Sequence, residues 1–551
     1  MASLLMQAIG VLARVPPLQP VLNRVAINIS VGRAPARPYA YSLWSPDRSD
    51  PPELLVTPAP YITWPGLVDR RYTGRHLPPA PVEHGARLPE VERVAELFMR
   101  RGAPILSTRT TALFCFFAQW FTDSFLRTDK DRRRNTSNHE IDLCQVYGLD
   151  EDTSDILRER RAGRLRVQAA LPTGVFPARL FDDDGALRPE FSGLPYARGE
   201  PGKRIVDGML PMVFKDSGMP PEKLERRKRR LYATGLERGS NTILYAALNA
   251  VFIREHNRIC GMLAAAHPAW DDDRLFETAR NINIVQALKL VIEEYINHLA
   301  GLPLRFRLDQ KFAEKQGWYR ANRIAIEFNL LYRWHSMIPD HLDLPGGGRL
   351  GTDDYRFNNE RLEEIGVEPL ITAASSQPAG RVGLRNVPTF MWNAEVSALR
   401  FARDFRLQSF NAYRKRFGLA PYRDWDALTG DPELSKSLQD LYGTVDRLEF
   451  LVGLFAEKHD GSSFGDLLRT MVAVDAFSQV FTNPLLSTGC RGQADAFGSI
   501  GTAIIEETKG LEDIVRRNAP KGAAPAVAKF ALPPRLNGGN GRRPITPRPR
   551  G

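Results

Sequence analysis

The sequence predicts a mostly α-helical protein. Three sets of residues carry that expectation: Thr110 to Thr128, the long pair Thr242 to Met262 and Phe276 to Ala300, and Arg323 to Ile338. In each, large apolar residues recur at helical rather than alternating spacing. The chain of 551 residues is long enough for a large core, and 43% hydrophobic with 25% charged residues is an ordinary globular balance. The net charge of +11 and pI near 9.5 favour anionic partners such as a phospholipid surface, nucleic acid or an acidic substrate. No nucleic-acid motif is present, so nucleic acid is not expected as a partner. The arginines are scattered apart from short runs such as Arg132-Arg133-Arg134, which reads as a solvated loop. Cys115, Cys144, Cys260 and Cys490 are widely spaced without a CxxC pair, and all four are read as reduced thiols.

Taken in order, residues 1–40 form an apolar arm with sparse arginines. No run there reaches the length of a membrane span, and the opening lacks the basic region of a secretory signal. Ala8 to Leu12 and Leu18 to Ile29 fit short amphipathic pieces in a bilayer interface and fit equally an arm packed on the domain. The expected location is therefore cytoplasmic or peripheral to a membrane. Residues 34–90 are rich in proline and polar residues and read as an extended arm within a domain running from 41 to 515.

Thr110 to Thr128 is apolar nearly all round (Leu113, Phe114, Phe116, Phe117, Phe121, Phe125, Leu126), so it is a buried helix. Its polar interruptions, Gln119 and Asp123, are four apart and share a face. Residues 130–235 read as charged, irregular surface structure. The Thr242 helix carries Arg254-Glu255-His256-Asn257-Arg258, charges on a core helix that must be paired. Arg323 to Ile338 reads as a helix ending before Pro339, which cannot continue the hydrogen-bond ladder. Tyr332 and His335 are three apart, on one helical face. That histidine can ligate a metal or haem iron with the phenol at the cofactor's edge. A core histidine beside a packed tyrosine explains the same spacing, and on spacing alone it is the commoner case. After about residue 515, Pro, Gly and Arg dominate, so 516–551 reads as a disordered basic tail. No internal repeat is visible.

Several blocks together resemble the cyclooxygenase (prostaglandin synthase) and fatty-acid dioxygenase branch of the animal haem peroxidases. They are Glu327-Phe328-Asn329-Leu330-Leu331-Tyr332-Arg333-Trp334-His335, Phe116 to Asp123, the Arg254 to Arg258 pentad, Glu293-Glu294-Tyr295-Ile296 and Ala476-Phe477-Ser478. The likeness runs from about Tyr61 to about Thr508 and implies haem b between a distal helix (110–128) and a proximal helix (321–338). It places His335 on the axial iron ligand and Tyr332 on the radical tyrosine. Gln119 falls on the distal glutamine, and Asp123 stands where the family has its distal histidine. Ser478, Tyr295, Ile296, Phe328 and Trp334 fall on the substrate channel. Leu302 and Val472 replace a tyrosine and a glutamate at its mouth, Arg33 falls near the carboxylate-binding arginine with Arg37 competing, and Leu451 replaces a tyrosine that supports the proximal histidine. The pentad reads mainly as scaffold. The sequence does not match the disulfide-rich module that the animal enzymes carry before the catalytic domain, so the resemblance implies a shortened, bacterial-type relative as the expectation.

The resemblance implies a haem-dependent dioxygenase of a long-chain unsaturated fatty acid, with molecular oxygen as co-substrate, peripheral membrane contact and room for an oligomer. Its peroxidase activity is expected to be weakened, because a carboxylate is usually a poorer acid–base group near neutral pH than imidazole. The alternatives are a peroxidase or oxidase of another substrate using Asp123, or a non-catalytic relative that binds haem or lipid.

Overall fold

The computed structural model describes residues 12, 15–32, 44–46, 56–58, 64, 68–81, 85, 88–301, 304–309, 312–459, 461–491 and 496–533. Helices dominate, as expected, and among the described residues the strands form three two-stranded antiparallel ladders. One of them, Leu106–Thr111 with Pro378–Gly380, leads straight into the helix that walls the site.

Helix α1 (Gln19–Gly32) lies on the domain through Asn23, Ile27 and Val31. The Asn23 side chain donates to the Arg307 carbonyl at 3.0 Å and accepts from the Arg307 amide at 3.1 Å. Its other face leaves Val21, Val25 and Ile29 exposed, in line with Leu18 just before it. Helix α2 (Ala112–Thr122) is capped by the Thr111 hydroxyl, which accepts from the Phe114 amide. It is buried on nearly every side and is shorter than the expected 110–128. Trp120 stacks on Phe252 at 4.5 Å and donates to Asn249 at 2.8 Å, locking α2 to α3.

Helix α3 (Ile243–Ala266) starts at a Thr242 cap and stops at His267, whose successor Pro268 disfavours further helix. Helix α4 (Asp272–Leu290) packs along it and winds into a π-helical turn, Val291–Ile296. Then come α5 (Ile326–Leu331), α6 (Trp392–Asp404), α7 (Asp466–Phe481) and α8 (Leu511–Arg517).

Two expectations change here. The proximal segment is not one helix: α5 ends at Leu331, and His335 begins a separate 3-10 turn, His335–Met337. Tyr332 and Trp334 stack at 4.7 Å. Residues two apart on an α-helix point away from each other, so that contact requires the helix to break. The second change concerns 516–533, which is packed rather than a loose tail. Ala526, Ala528 and Phe530 are buried, and the Leu532 amide donates to the Arg109 carbonyl at 2.8 Å. Phe530 enters a groove built by α2 and the π turn, and the backbone of 526–529 is held by hydrogen bonds to Arg516, Thr372, Glu512 and Ser375.

All four cysteines are free thiols. Among the described residues no helix is long and apolar enough to cross a membrane.

Candidate active site

A cavity of about 420 Å³ is lined by residues from α2, from the turn that leads into α3 and from the segment following α5. It brings Gln119 and Asp123 together with Tyr332, Trp334 and His335, two groups more than two hundred residues apart in sequence.

Gln119 lies in the last turn of α2 and Asp123 is its C-cap, with the Asp123 amide donating to the Gln119 carbonyl at 3.3 Å. The Asp123 carboxylate accepts from Arg238 Nη1 at 3.2 Å and from the Tyr245 hydroxyl at 2.9 Å. Burial pushes this carboxyl above its ordinary range, against the opposing pull of Arg238 and Tyr245. Asp123 therefore has structural partners and, through burial, a carboxyl that holds its proton more tightly than an exposed one. Arg238 is a residue the sequence reading missed; its only signal is a charge a few positions before a buried helix. Beside it, Glu237 is clamped by Arg127 at 3.0 and 3.1 Å.

His335 stands on the 3-10 turn with its Nδ1 2.6 Å from Glu395 Oε1. Glu395 is fully buried in the first turn of α6. The turn is seated firmly. Asn386 Nδ2 donates to the Ser336 carbonyl at 3.3 Å, and Gly380 passes so close to that carbonyl that any Cβ would clash with it. Arg333, between the phenol and the imidazole, also lines the cavity and donates through Nε to the Asn329 carbonyl at 3.2 Å.

Tyr332 sits in an aromatic cage, 4.9 Å from the Phe328 ring and 4.7 Å from Trp334. The Tyr332 and Tyr295 phenols interact closely enough to perturb one another, yet both oxygens are buried without a satisfied hydrogen bond. Burial raises both phenols, so each stays neutral and able to exchange a whole hydrogen atom.

The remaining channel residues divide. Ile296, Trp334 and Val472 line a separate crevice of about 20 Å³, with Arg469 at its edge. That is room for about one water. Arg469, paired with Asp466 at 2.6 Å, is a second cation the sequence reading missed. Ser478 is buried on α7 and donates to its own helix at Val474 and Asp475 (2.9 and 3.0 Å), so it is not poised to attack. Arg33, Arg37 and Leu302 lie outside the described residues.

The pentad on α3 is accounted for by packing. Arg254 pairs with Glu368 at 2.9 Å, and Glu255 holds Arg258 and Arg517. His256 bridges the Gly163 carbonyl and the Tyr147 hydroxyl, while Asn257 exchanges two hydrogen bonds with the Leu165 backbone. All five residues of the pentad have partners within the protein, most of them outside their own helix, as scaffold residues should; the second guanidinium nitrogen of Arg254, Nη2, has no partner among the described residues.

Comparison with known proteins places this geometry. The sequence profile "Animal haem peroxidase" matches residues 127–481. Mouse prostaglandin G/H synthase 1 is 32% identical over 472 residues, covering 83% of this chain and 72% of the relative. Chicken prostaglandin G/H synthase 2 is 30% identical over 499 residues, covering 88% and 76%. In fold, the chain is similar to the crystal structure of rice fatty acid alpha-dioxygenase, with TM-score 0.64, 17% identity and 81% and 80% coverage. It is also similar to peroxidase A from Dictyostelium discoideum, with TM-score 0.61, 18% identity and 89% and 99% coverage. The chain belongs to the animal haem peroxidase family, a family of oxidoreductases.

Proposed function

We propose that the protein is a haem-dependent dioxygenase of a long-chain unsaturated fatty acid, acting through a radical at Tyr332. The observation that carries this reading is the single cavity shared by His335, Tyr332, Gln119 and Asp123.

The residues fit haem b. With Nδ1 turned to Glu395, Nε2 is the ring nitrogen left for iron. The cavity volume is in the usual range of about 300–1,000 Å³ for ligand sites. Arg238, Arg333 and Arg356 on its wall suit the two propionates. Bound haem supplies one-electron oxidising power.

Every other step belongs to the chain and its substrates. In its radical form, the Tyr332 oxygen takes a hydrogen atom from an allylic carbon, leaving a carbon radical and a phenol. Dioxygen adds to that carbon. The peroxyl radical then takes the phenolic hydrogen back, giving the hydroperoxide and regenerating the tyrosyl radical. Phe328 and Trp334 pack against the Tyr332 ring, and the narrow crevice lined by Ile296 and Val472, which would have to widen for a lipid chain, would with Ser478 form the substrate path. The names of the relatives, prostaglandin synthases and fatty acid alpha-dioxygenases, support a lipid substrate. The exposed apolar stripe of α1 supports peripheral membrane contact.

Oxygen uptake by the haem-loaded protein with a panel of unsaturated fatty acids tests the reading. Tyr332→Phe is expected to drop uptake to background while keeping the haem; equal uptake by both proteins would end the radical-tyrosine proposal.

The buried Asp123, raised in pKa and paired with Arg238, favours a second reading, a peroxidase of a smaller substrate. Peroxide-driven guaiacol turnover without lipid-dependent oxygen uptake would select it. Absence of a Soret band after haem reconstitution would select a non-catalytic relative.

A further inference from the structure

We infer that Glu395 is a positioning residue for the iron site: its carboxylate takes the Nδ1–H of His335 in a strong, water-free hydrogen bond that makes the imidazole an electron-rich ligand and stabilises ferric over ferrous iron. The inference rests on the reading of His335 as the iron ligand.

Four observations carry it. The Nδ1–Oε1 distance of 2.6 Å is short even for a charge-assisted bond. Glu395 is fully buried, so water does not compete for the contact. Its second oxygen, Oε2, has no hydrogen-bond partner among the described residues; Arg333 acts on the carboxylate electrostatically but donates no hydrogen bond to that oxygen. Finally, Glu395 lies in the first turn of a 13-residue helix, where the aligned peptide dipoles favour negative charge.

The pair is not needed to hold the backbone of the turn. Asn386 clamps the Ser336 carbonyl, the Gly383 amide donates to the Ser336 hydroxyl, and Gly380 closes the space behind. What remains for Glu395 is the ring itself. It selects the tautomer with Nε2 bare and pulls the Nδ1 proton, and a ligand polarised that way donates more strongly to iron. Leu451, which the resemblance aligns with a supporting tyrosine, is buried and apolar and offers no hydrogen bond. In this chain the support comes from a different element.

The test measures the ferric/ferrous reduction potential of haem-loaded wild type and Glu395→Gln, with the iron–histidine stretch of the ferrous form. Glu395→Gln is expected to raise the potential and lower the stretching frequency, with Glu395→Asp in between. A folded, haem-loaded Glu395→Gln protein with both values unmoved overturns the inference. If that variant does not fold, His335→Gly loaded with haem plus imidazole or 1-methylimidazole gives the same answer, because only imidazole has an N–H for Glu395. The imidazole form is expected at the lower potential, and equal potentials overturn the inference. His335→Gly without added ligand separates the two levels. If it keeps the wild-type haem spectrum, the ligand reading fails and the inference with it. If the spectrum changes while Glu395→Gln leaves the potential unmoved, only the role of Glu395 fails.

Discussion

Asp123 shows how far a single residue can be read from its neighbours. A carboxylate on an otherwise apolar helix has to be either paired or raised in pKa, and here it is both. As a base it must be ionised, so peroxide turnover should rise with pH through its elevated pKa and flatten in Asp123→Asn, as rate-versus-pH profiles would show. Replacing it with imidazole should help: Asp123→His is expected to raise guaiacol turnover by roughly tenfold or more, within the ~10²–10⁴-fold scope of general acid–base catalysis. An unchanged or lower rate in a haem-replete Asp123→His protein would count against this role. The residue types at Gln119, Asp123, Tyr332 and His335 were legible because they interrupt or close apolar runs. Glu395 was not, since its partner is 60 positions away and nothing in a solvent-friendly helical pattern marks it as buried.

At the scale of elements, helix existence was more legible than helix continuity. The 3.6-residue period of α3 and α4 comes from burial on a large face, and the sequence displays it directly. The break after Leu331 comes from ring stacking between Tyr332 and Trp334, a contact that periodicity does not encode. The π turn is similar: Val291–Ile296 reads as ordinary helix, and only packing shows the extra residue that aims Tyr295 into the aromatic cluster. One carboxylate there should make the fold pH-sensitive. Glu294, partly buried on the π turn, accepts from the Leu511 amide at the start of α8, and burial raises its pKa from 4.5 to about 7. Below about pH 4.5 both folded and unfolded chains carry the proton. Between there and pH 7 the folded chain holds it more tightly, so this contribution to stability is lost as pH rises through about 7. Denaturation midpoints at pH 5 and pH 8 should therefore differ less in Glu294→Gln than in wild type.

For the whole molecule, the C-terminal strap is the chief departure from expectation. Residues 518–533 carry a composition that cannot form a core alone, but the finished domain presents a groove to them. Phe530 inserts between Phe114, Phe117 and Tyr295, with ring distances of 5.6, 4.8 and 6.5 Å. Arg517, at its start, grips Glu255 of the pentad. Phe530→Ala is expected to cost about 3–5 kcal/mol in a denaturant titration, the usual range for emptying a buried aromatic site. A loss under 1 kcal/mol would mean the strap is dispensable. The same insertion couples the strap to the phenol pair, because Tyr295 touches both.

From the sequence alone came the helical class, the apolar helices beside the cavity, and His335, Tyr332 and Asp123 as candidate site residues. Those depend on local period and residue type, which a linear chain carries openly. Three-dimensional packing decided which carboxylate holds the imidazole, which arginine meets Asp123, where the proximal helix breaks and how the C-terminal segment docks. Each of these is a contact between positions far apart in the chain, and its energy exists only once burial has removed the water that would otherwise satisfy both partners.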